Sequence, residues 1–158
     1  TSQQDLNPDE ITTIKIETHP RWLNVCNLIA PTTGLEAKFS YRQVVAMALL
    51  GIDTGALNSY TSEICQRKDV VSLRRKIDVS GNKELSDSQA IAEITYNGRS
   101  VRQFFDLEKP LTAAQREERV LKKAAKLIGQ RKTQLLWNAI NNLNSAPNVN
   151  TLAECIGR

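Results

Sequence analysis

Apolar and polar residues alternate along several stretches of the chain, with the period of two that marks half-buried β-strands. In EITTIKIETH, Ile14 and Ile16 alternate with charged neighbours, and Pro20 ends the segment. A second strand is predicted in the short segment KIDV. Asn97-Gly98 separates two further arms of this kind and predicts a two-residue hairpin turn, because both central positions of such a turn need a positive φ. The pattern therefore predicts two single strands and one hairpin.

A helical period follows the first strand. Ser40 and Gln43 have the spacing of a capping box, which predicts that a helix begins at Ser40, and Gly51 ends it. Apolar residues cover both faces of this segment, with Ala48 on one face and Met47 on the other. The helix is therefore predicted to be packed on both sides.

Three further helical regions are predicted. TSEICQRKDVVSLRRKI indicates one broken helix or two short ones, with Thr61 and Asp69 as candidate caps. Thr112 and Gln115 form a second capping box, and Gly129 ends the helix that they start. The predicted buried face of that helix consists of four apolar residues: Val120, Leu121, Ala124 and Ile128. A last amphipathic helix is predicted in TQLLWNAINNL, and no element is predicted in the Asn-rich tail.

This order of elements predicts an α+β fold, with a mostly antiparallel sheet of three to four strands packed on helices. The length of 158 residues fits a single domain over residues 1–158 that can bury a core. No apolar run approaches the ~20 residues of a membrane span, and the polar N-terminus does not resemble a secretory signal. We therefore expect no membrane partner and a cytoplasmic location. Because the chain begins at Thr1 without Met, we expect it to be a piece of a larger protein.

The residues that usually carry chemistry are sparse. Cys26, Cys65 and Cys155 are widely spaced, and the single His19 gives none of them a metal partner, so we expect reduced thiols, no metal and no cofactor. There is no GxSxG, glycine-rich phosphate loop, HExxH or CxxC motif. The sequence therefore shows no complete active site, and its catalytic residues are unknown.

A net charge of +4 and a pI near 9.1 raise the alternative of a nucleic-acid binder. The aromatic share is only 5%, and no Arg/Gly/aromatic motif accompanies the basic residues. The basic clusters are Arg74-Arg75-Lys76, Lys122-Lys123 and Arg131-Lys132. A solvated helix face explains the two later clusters, so we expect no nucleic-acid partner.

Charged residues at the start of the Ser40 helix form the most informative local feature. If Ser40 caps the helix, the first amides and the positive end of the helix dipole lie beside Lys38, and Arg42 lies in the first turn. A carboxylate or phosphate could bind there. The competing interpretation is that Lys38 is solvated and that Arg42 pairs with Glu36 or another acid. Local sequence alone favours this second interpretation.

Five motifs, in one order along the chain, resemble the C-terminal domain of MmgE/PrpD-family enzymes. They are DEITTIKIETHP, TGLEAKFSYRQVVAMALLG, KDVVSLRRKIDV, AIAEITYNGRS and KPLTAAQREE. The resemblance extends from about Asp9 to Leu143. It departs from the family at Phe39, where the dehydratase and decarboxylase branches tend to carry His, and at Gln43, where many members carry Tyr.

The resemblance implies a function on small carboxylates. The family includes 2-methylcitrate dehydratase, cis-aconitate decarboxylase and iminodisuccinate epimerase, which act on di- and tricarboxylates without a metal. In these enzymes a larger helical domain, absent from this chain, supplies much of the catalytic machinery, and the α+β domain closes over the substrate as a lid. By resemblance, the segment with Lys38, Ser40 and Arg42 would face the cleft and hold a substrate carboxylate.

Three classes of function therefore stay open. The favoured one is the lid of a carboxylate-acting lyase or epimerase, in which case the isolated chain is expected to be inactive. The second is a stand-alone α+β module that binds a small anion, and the third is a basic nucleic-acid binder. The expected partners are a small carboxylate substrate and the helical domain of the same full-length protein, with a homodimer also open.

Overall fold

The structure, a computed structural model, describes residues 7–157. These residues form two compact units, with the boundary between Lys109 and Pro110. The prediction of one domain over residues 1–158 stays a prediction.

The first unit contains a four-stranded sheet in the order β2-β1-β3-β4. Its strands are β1 (Ile11–Thr18), β2 (Ile77–Gly81), β3 (Gln89–Tyr96) and β4 (Arg99–Asp106). β1 is parallel to β2 and antiparallel to β3, and β3 is antiparallel to β4. This sheet confirms the predicted α+β class with mostly antiparallel pairing.

The hairpin between β3 and β4 turns where the sequence predicts. Asn97 has φ +47° and Gly98 has φ +71°, as a two-residue turn of this type requires. β4 is an edge strand, and its Phe104 and Phe105 are more than half exposed.

Five short helices accompany the sheet in the first unit. They are α1 (Leu23–Cys26), α2 (Gly34–Ala37), α3 (Tyr41–Leu49), α4 (Ser62–Gln66) and α5 (Lys68–Arg74). Short 3-10 turns cover Pro8–Glu10, Pro20–Trp22 and Leu57–Ser59. The segment predicted to form one broken helix or two short ones forms two short helices, α4 and α5.

The predicted caps of α4 and α5 differ in outcome. Thr61 caps α4, since its hydroxyl accepts a hydrogen bond from the Ile64 amide at 3.3 Å. The prediction of Asp69 as the other cap is wrong, because α5 begins at Lys68, which puts Arg67, two residues before Asp69, in the cap position. Asp69 lies in the first turn, where its carboxylate accepts from the Val70 amide and pairs with Arg67 at 2.7 Å. A carboxylate there still favours the helix N-terminus.

The core lies between the sheet and helices α3 and α5. Alternation along β1 buries Ile14, Ile16 and Thr18, and Ile11 is also buried, beyond a register shift between Ile11 and Thr13. The helices supply most of the other buried residues. The core consists of Ile11, Ile14, Ile16, Ala46, Met47, Val70, Leu73, Ile77 and Val79. Residues of both predicted apolar faces of α3 pack against the core: Ala46 and Met47 are buried, and Tyr41, Val45, Leu49 and Leu50 are half-buried. The exception is Ala48, which is exposed. α3 contacts α5 and β2.

The second unit is helical. It contains α6 (Ala113–Ile128), α7 (Gln130–Asn141) and α8 (Asn150–Ile156), with a 3-10 turn at Leu143–Ser145. The capping box at the start of α6 is confirmed, because Thr112 and Gln115 exchange both hydrogen bonds. Gly129 ends α6 with φ +83°, also as predicted. α8 was not predicted, since its seven residues carry little helical signal.

The predicted burial of the apolar face of α6 is wrong. No residue of this helix is buried, and Val120 is 54% exposed, although Leu121 and Ala124 are half-buried. Within the unit α6 packs on α7, and one neighbouring helix cannot enclose a whole apolar face. None of the helices among residues 7–157 combines the length and the apolar character needed to cross a membrane.

Candidate anion-binding segment

Residues 32–36 form a local hydrogen-bond network that starts α2. Thr33 and Glu36 form a capping box, and the Glu36 carboxylate also accepts from the amide of Thr32 at 2.7 Å and from its hydroxyl at 2.9 Å. These bonds, with the Thr32 amide the strongest, hold the pKa of Glu36 below its usual value. Glu36 is therefore engaged at its own helix start, and it is not the acid that pairs with Arg42.

Ser40 caps α3, as the sequence predicts. Its hydroxyl accepts from the Gln43 amide at 3.2 Å and donates to the Leu28 carbonyl at 2.5 Å, and the residue is 1% exposed. The Leu28 amide donates in turn to the carbonyl of Phe39 at 3.1 Å. The first turn of α3 is thus covered by the chain around Leu28. The Ser40 hydroxyl uses both its donor and its acceptor in hydrogen bonds within the fold.

The second half of the predicted capping box at Ser40 does not form. The Gln43 side chain is fully buried, and its Oε1 accepts from Nη1 of Arg74 at 2.7 Å. This pair is not predicted from the sequence, where Arg74 is considered only as part of a basic cluster. The position of Arg74 on the helix could have indicated that it is buried, since it lies four residues after the buried Val70 and next to the buried Leu73.

Lys38 ends α2 and is exposed. Its ammonium nitrogen lies 5.4 Å from the centre of the Tyr60 ring, within cation–π range. The Tyr60 hydroxyl donates to the Thr54 carbonyl at 2.8 Å; burial raises the pKa of Tyr60, and the charge of Asp53 adds to the rise. Lys38 makes no ion pair with any residue in the range 7–157. The Lys38 ammonium group therefore contacts an aromatic ring, and no described acidic residue neutralises its charge.

Arg42 is engaged in the fold. Its side chain is 12% exposed; Nε donates to the Ile77 carbonyl at 3.1 Å, Nη1 donates to Asn27 Oδ1, and Nη2 lies 3.6 Å from Asp78 Oδ1. These contacts tie α3 to the start of β2. Lys38 and Arg42 therefore contact different residues, although Ser40 lies between them in the chain.

Apolar side chains are exposed around Lys38. Leu35 is 67% exposed and Phe39 is 41% exposed, and both are close to Lys38 in the chain. Leu28 and Ile29 continue this surface, since the main chains of Leu28 and Phe39 are hydrogen-bonded. A surface of this kind is typical of a face that another domain or protein covers. Within residues 7–157 no cluster of three His, Cys, Asp or Glu side chains could hold a metal ion.

The fold defines the class: an α+β domain with a mixed four-stranded sheet and short helices. Just before α3 it carries the exposed Lys38 on a partly apolar surface. A sequence model described as the MmgE/PrpD C-terminal domain matches residues 1–144 of the 158. The chain therefore belongs to the MmgE/PrpD family and represents its C-terminal domain. No individual curated protein matches the chain.

Proposed function

We propose that this chain is the substrate-closing lid of a metal-independent MmgE/PrpD enzyme, a lyase or an epimerase, that acts on a small di- or tricarboxylate. The observation that carries the proposal is the un-neutralised charge of Lys38 on an apolar surface of the family's C-terminal domain. An exposed lysine without an acid partner is a ready contact for a substrate carboxylate.

The three predicted substrate-binding residues take different parts in this proposal. Lys38 contacts the carboxylate, because its ammonium group is exposed and makes no ion pair with a described residue. Ser40 and Arg42 position the segment, because their polar atoms hydrogen-bond to Leu28, Asn27 and Ile77. The cytoplasmic location also remains our proposal.

The exposed apolar side chains around Lys38 support the proposal that the helical domain of the same full-length protein packs against this surface. Closure of that domain on Leu35 and Phe39 would remove water from the Lys38 ammonium group. The attraction between an ammonium and a carboxylate is stronger where water is excluded. The same contact is therefore weak in the open protein and strong in the closed one.

The test is turnover by the full-length protein with 2-methylcitrate, cis-aconitate and iminodisuccinate. Lys38→Ala is expected to lower kcat/KM for the accepted substrate by about 10- to 100-fold, the range for a hydrogen bond to a charged group. Lys83→Ala, which removes an exposed loop lysine, is the matched control and should retain kcat/KM. The 158-residue chain alone should turn over none of the three compounds.

Equal kcat/KM for Lys38→Ala and the parent, at equal melting temperature, would refute the role of Lys38. Turnover by the isolated chain would refute the lid. The alternative, a stand-alone anion-binding module, predicts a start codon close to Thr1 in the gene, whereas a lid predicts several hundred upstream codons for a helical domain.

A further inference from the structure

Arg74 is a buried cation without a carboxylate partner. The residue is 9% exposed, and its hydrogen bonds go from Nη1 to three neutral oxygens: Gln43 Oε1 at 2.7 Å, the Cys65 carbonyl at 3.4 Å and the Pro31 carbonyl at 3.5 Å. It makes no ion pair with any residue that the structure describes. Burial lowers the pKa of Arg74, Cys65 raises it and the nearby charge of Arg75 lowers it further, yet a guanidinium stays charged at neutral pH. A charge taken out of water in this way normally has an opposite charge beside it.

The guanidinium of Arg74 has free donors on an open side. Nε and Nη2 donate to no described residue, and across the described residues the one enclosed side-chain nitrogen or oxygen without a hydrogen bond is Gln43 Nε2. Nε and Nη2 of Arg74 therefore reach accessible space. Gln43 accepts a hydrogen bond from Nη1 and so orients the guanidinium group of Arg74, which makes Gln43 a positioning residue.

Arg74 lies in the wall of a cavity of about 330 Å³ that three arginines line. Arg42, Arg74 and Arg75 supply the positive charge, and Val71 and Ile77 are among the apolar residues that complete the wall. Of these three arginines, Arg42 has an acidic neighbour in Asp78, which lies 3.6 Å from it and whose side chain is 79% exposed. Arg75 is exposed and makes no ion pair with a described residue.

The end of α5 explains only part of this arrangement. Arg74 and Arg75 lie at its C-terminus, where the partial negative charge of the carbonyls favours cations. An exposed side chain obtains that gain as well, so it does not account for the burial of Arg74. It also does not account for three guanidinium groups around one cavity.

We infer that this cavity is an anion-binding site for a small multiply charged oxyanion, whose carboxylate or phosphate oxygens accept from Arg74 and Arg75. Guanidinium groups bind both kinds of oxyanion in the same two-pronged geometry. The volume is at the small end of ligand cavities, which suits a compound of a few charged groups. The site goes beyond the proposed lid function, since all its wall residues lie in the first unit and Lys38 is not among them.

The experiment is calorimetric titration of the 158-residue chain with citrate and, separately, with inorganic phosphate, at one fixed ionic strength. The parent chain is expected to bind at least one of the two, and the arm that binds identifies the oxyanion as carboxylate or phosphate. Arg75→Gln should weaken binding about tenfold, the effect of losing one charge-assisted hydrogen bond. Arg99→Gln removes the same charge from the exposed start of β4 and should retain the parent affinity.

Three results would overturn the inference. They are no binding of either anion by a folded parent chain, an equal loss in Arg75→Gln and Arg99→Gln, and an equal loss in Arg75→Gln and Lys38→Ala. The last result would place the anion at Lys38 instead. Since the test uses binding by this chain and the lid function is tested by turnover of the full-length protein, either proposal can fail without the other. Arg75 is exposed, so its variant should fold, and circular dichroism checks this.

Discussion

The pair of Gln43 and Arg74 allows stability and binding to be separated by a double-mutant cycle. Gln43→Leu removes the acceptor that lies 2.7 Å from Arg74 Nη1 and leaves that nitrogen with two long contacts, at 3.4 and 3.5 Å. A buried charged donor that loses its partner costs about 1–3 kcal/mol. The loss of the unpaired Gln43 Nε2 offsets part of this cost. We expect a net destabilisation of about 1–2 kcal/mol.

Arg74→Met should also be destabilising, because it leaves the whole Gln43 amide buried without a partner, at a cost of about 1–3 kcal/mol. The double variant Gln43→Leu/Arg74→Met removes both polar groups together. Replacing a buried polar pair by apolar residues of similar volume is often neutral or stabilising. The double variant is therefore expected to be near the parent in stability, so the coupling energy between the two sites equals the sum of the two single costs, about 2–5 kcal/mol.

The assay is urea unfolding of the four proteins, followed by circular dichroism and by the fluorescence of Trp22 in the first unit and Trp137 in the second. Each single variant should also melt a few degrees lower, since about 1 kcal/mol shifts Tm by ~2–4 °C in a chain of this length. If the double variant is destabilised by the sum of the two singles, the pair is not coupled and the reasoning fails. If it is as stable as the parent and still binds citrate or phosphate, Arg74 does not belong to the anion site.

Two further predictions follow from the segment around Lys38. The depressed pKa of Glu36 stabilises the folded state above the unfolded pKa, and this contribution is lost as pH falls through the lower folded pKa. Thermal melts should therefore show a smaller loss of stability below about pH 4.3 for Glu36→Gln than for the parent, with Glu84→Gln as the charge control; identical pH profiles would contradict this. Separately, the exposed apolar surface predicts that the isolated chain binds a hydrophobic dye or self-associates, and that Leu35→Ser reduces the signal. A chain that stays monomeric and dye-silent at high concentration would favour a stand-alone module instead.

Features that depend on neighbouring residues were predictable from the sequence. The Asn97-Gly98 turn, the Thr112 capping box and the Ser40 cap each need a particular residue within four positions, and all three form as expected. The alternation along β1 also identified its buried face, because a strand that packs on one side has a period of two. The predicted cap Asp69 lies two residues after the observed cap Arg67, because a carboxylate favours the first helical turn as well as the cap itself.

Features that depend on distant residues could not be predicted in this way. The capping-box spacing of Ser40 and Gln43 indicated a local bond for the Gln43 side chain, but Arg74, 31 residues away, holds it instead. The apolar face of α6 indicated burial, but its extent depends on how many helices pack on it. In both cases the local pattern is present in the sequence, but contacts between distant residues determine the hydrogen bond of Gln43 and the burial of α6.

Arg74 is where the local rules and the fold disagree most, and this disagreement bears on its function. Its position on α5 is a core position, next to Leu73 and four residues after Val70, and an apolar residue there would bury no charge. The chain instead carries an arginine, and the Gln43 amide that accepts from it has its own Nε2 buried without a hydrogen-bond partner. Sequences keep such conflicts chiefly at functional sites, where the cost is offset by binding. A bound oxyanion would supply the missing acceptor for Arg74, and this is the physical reason to expect that the anion, rather than the fold, retains the arginine.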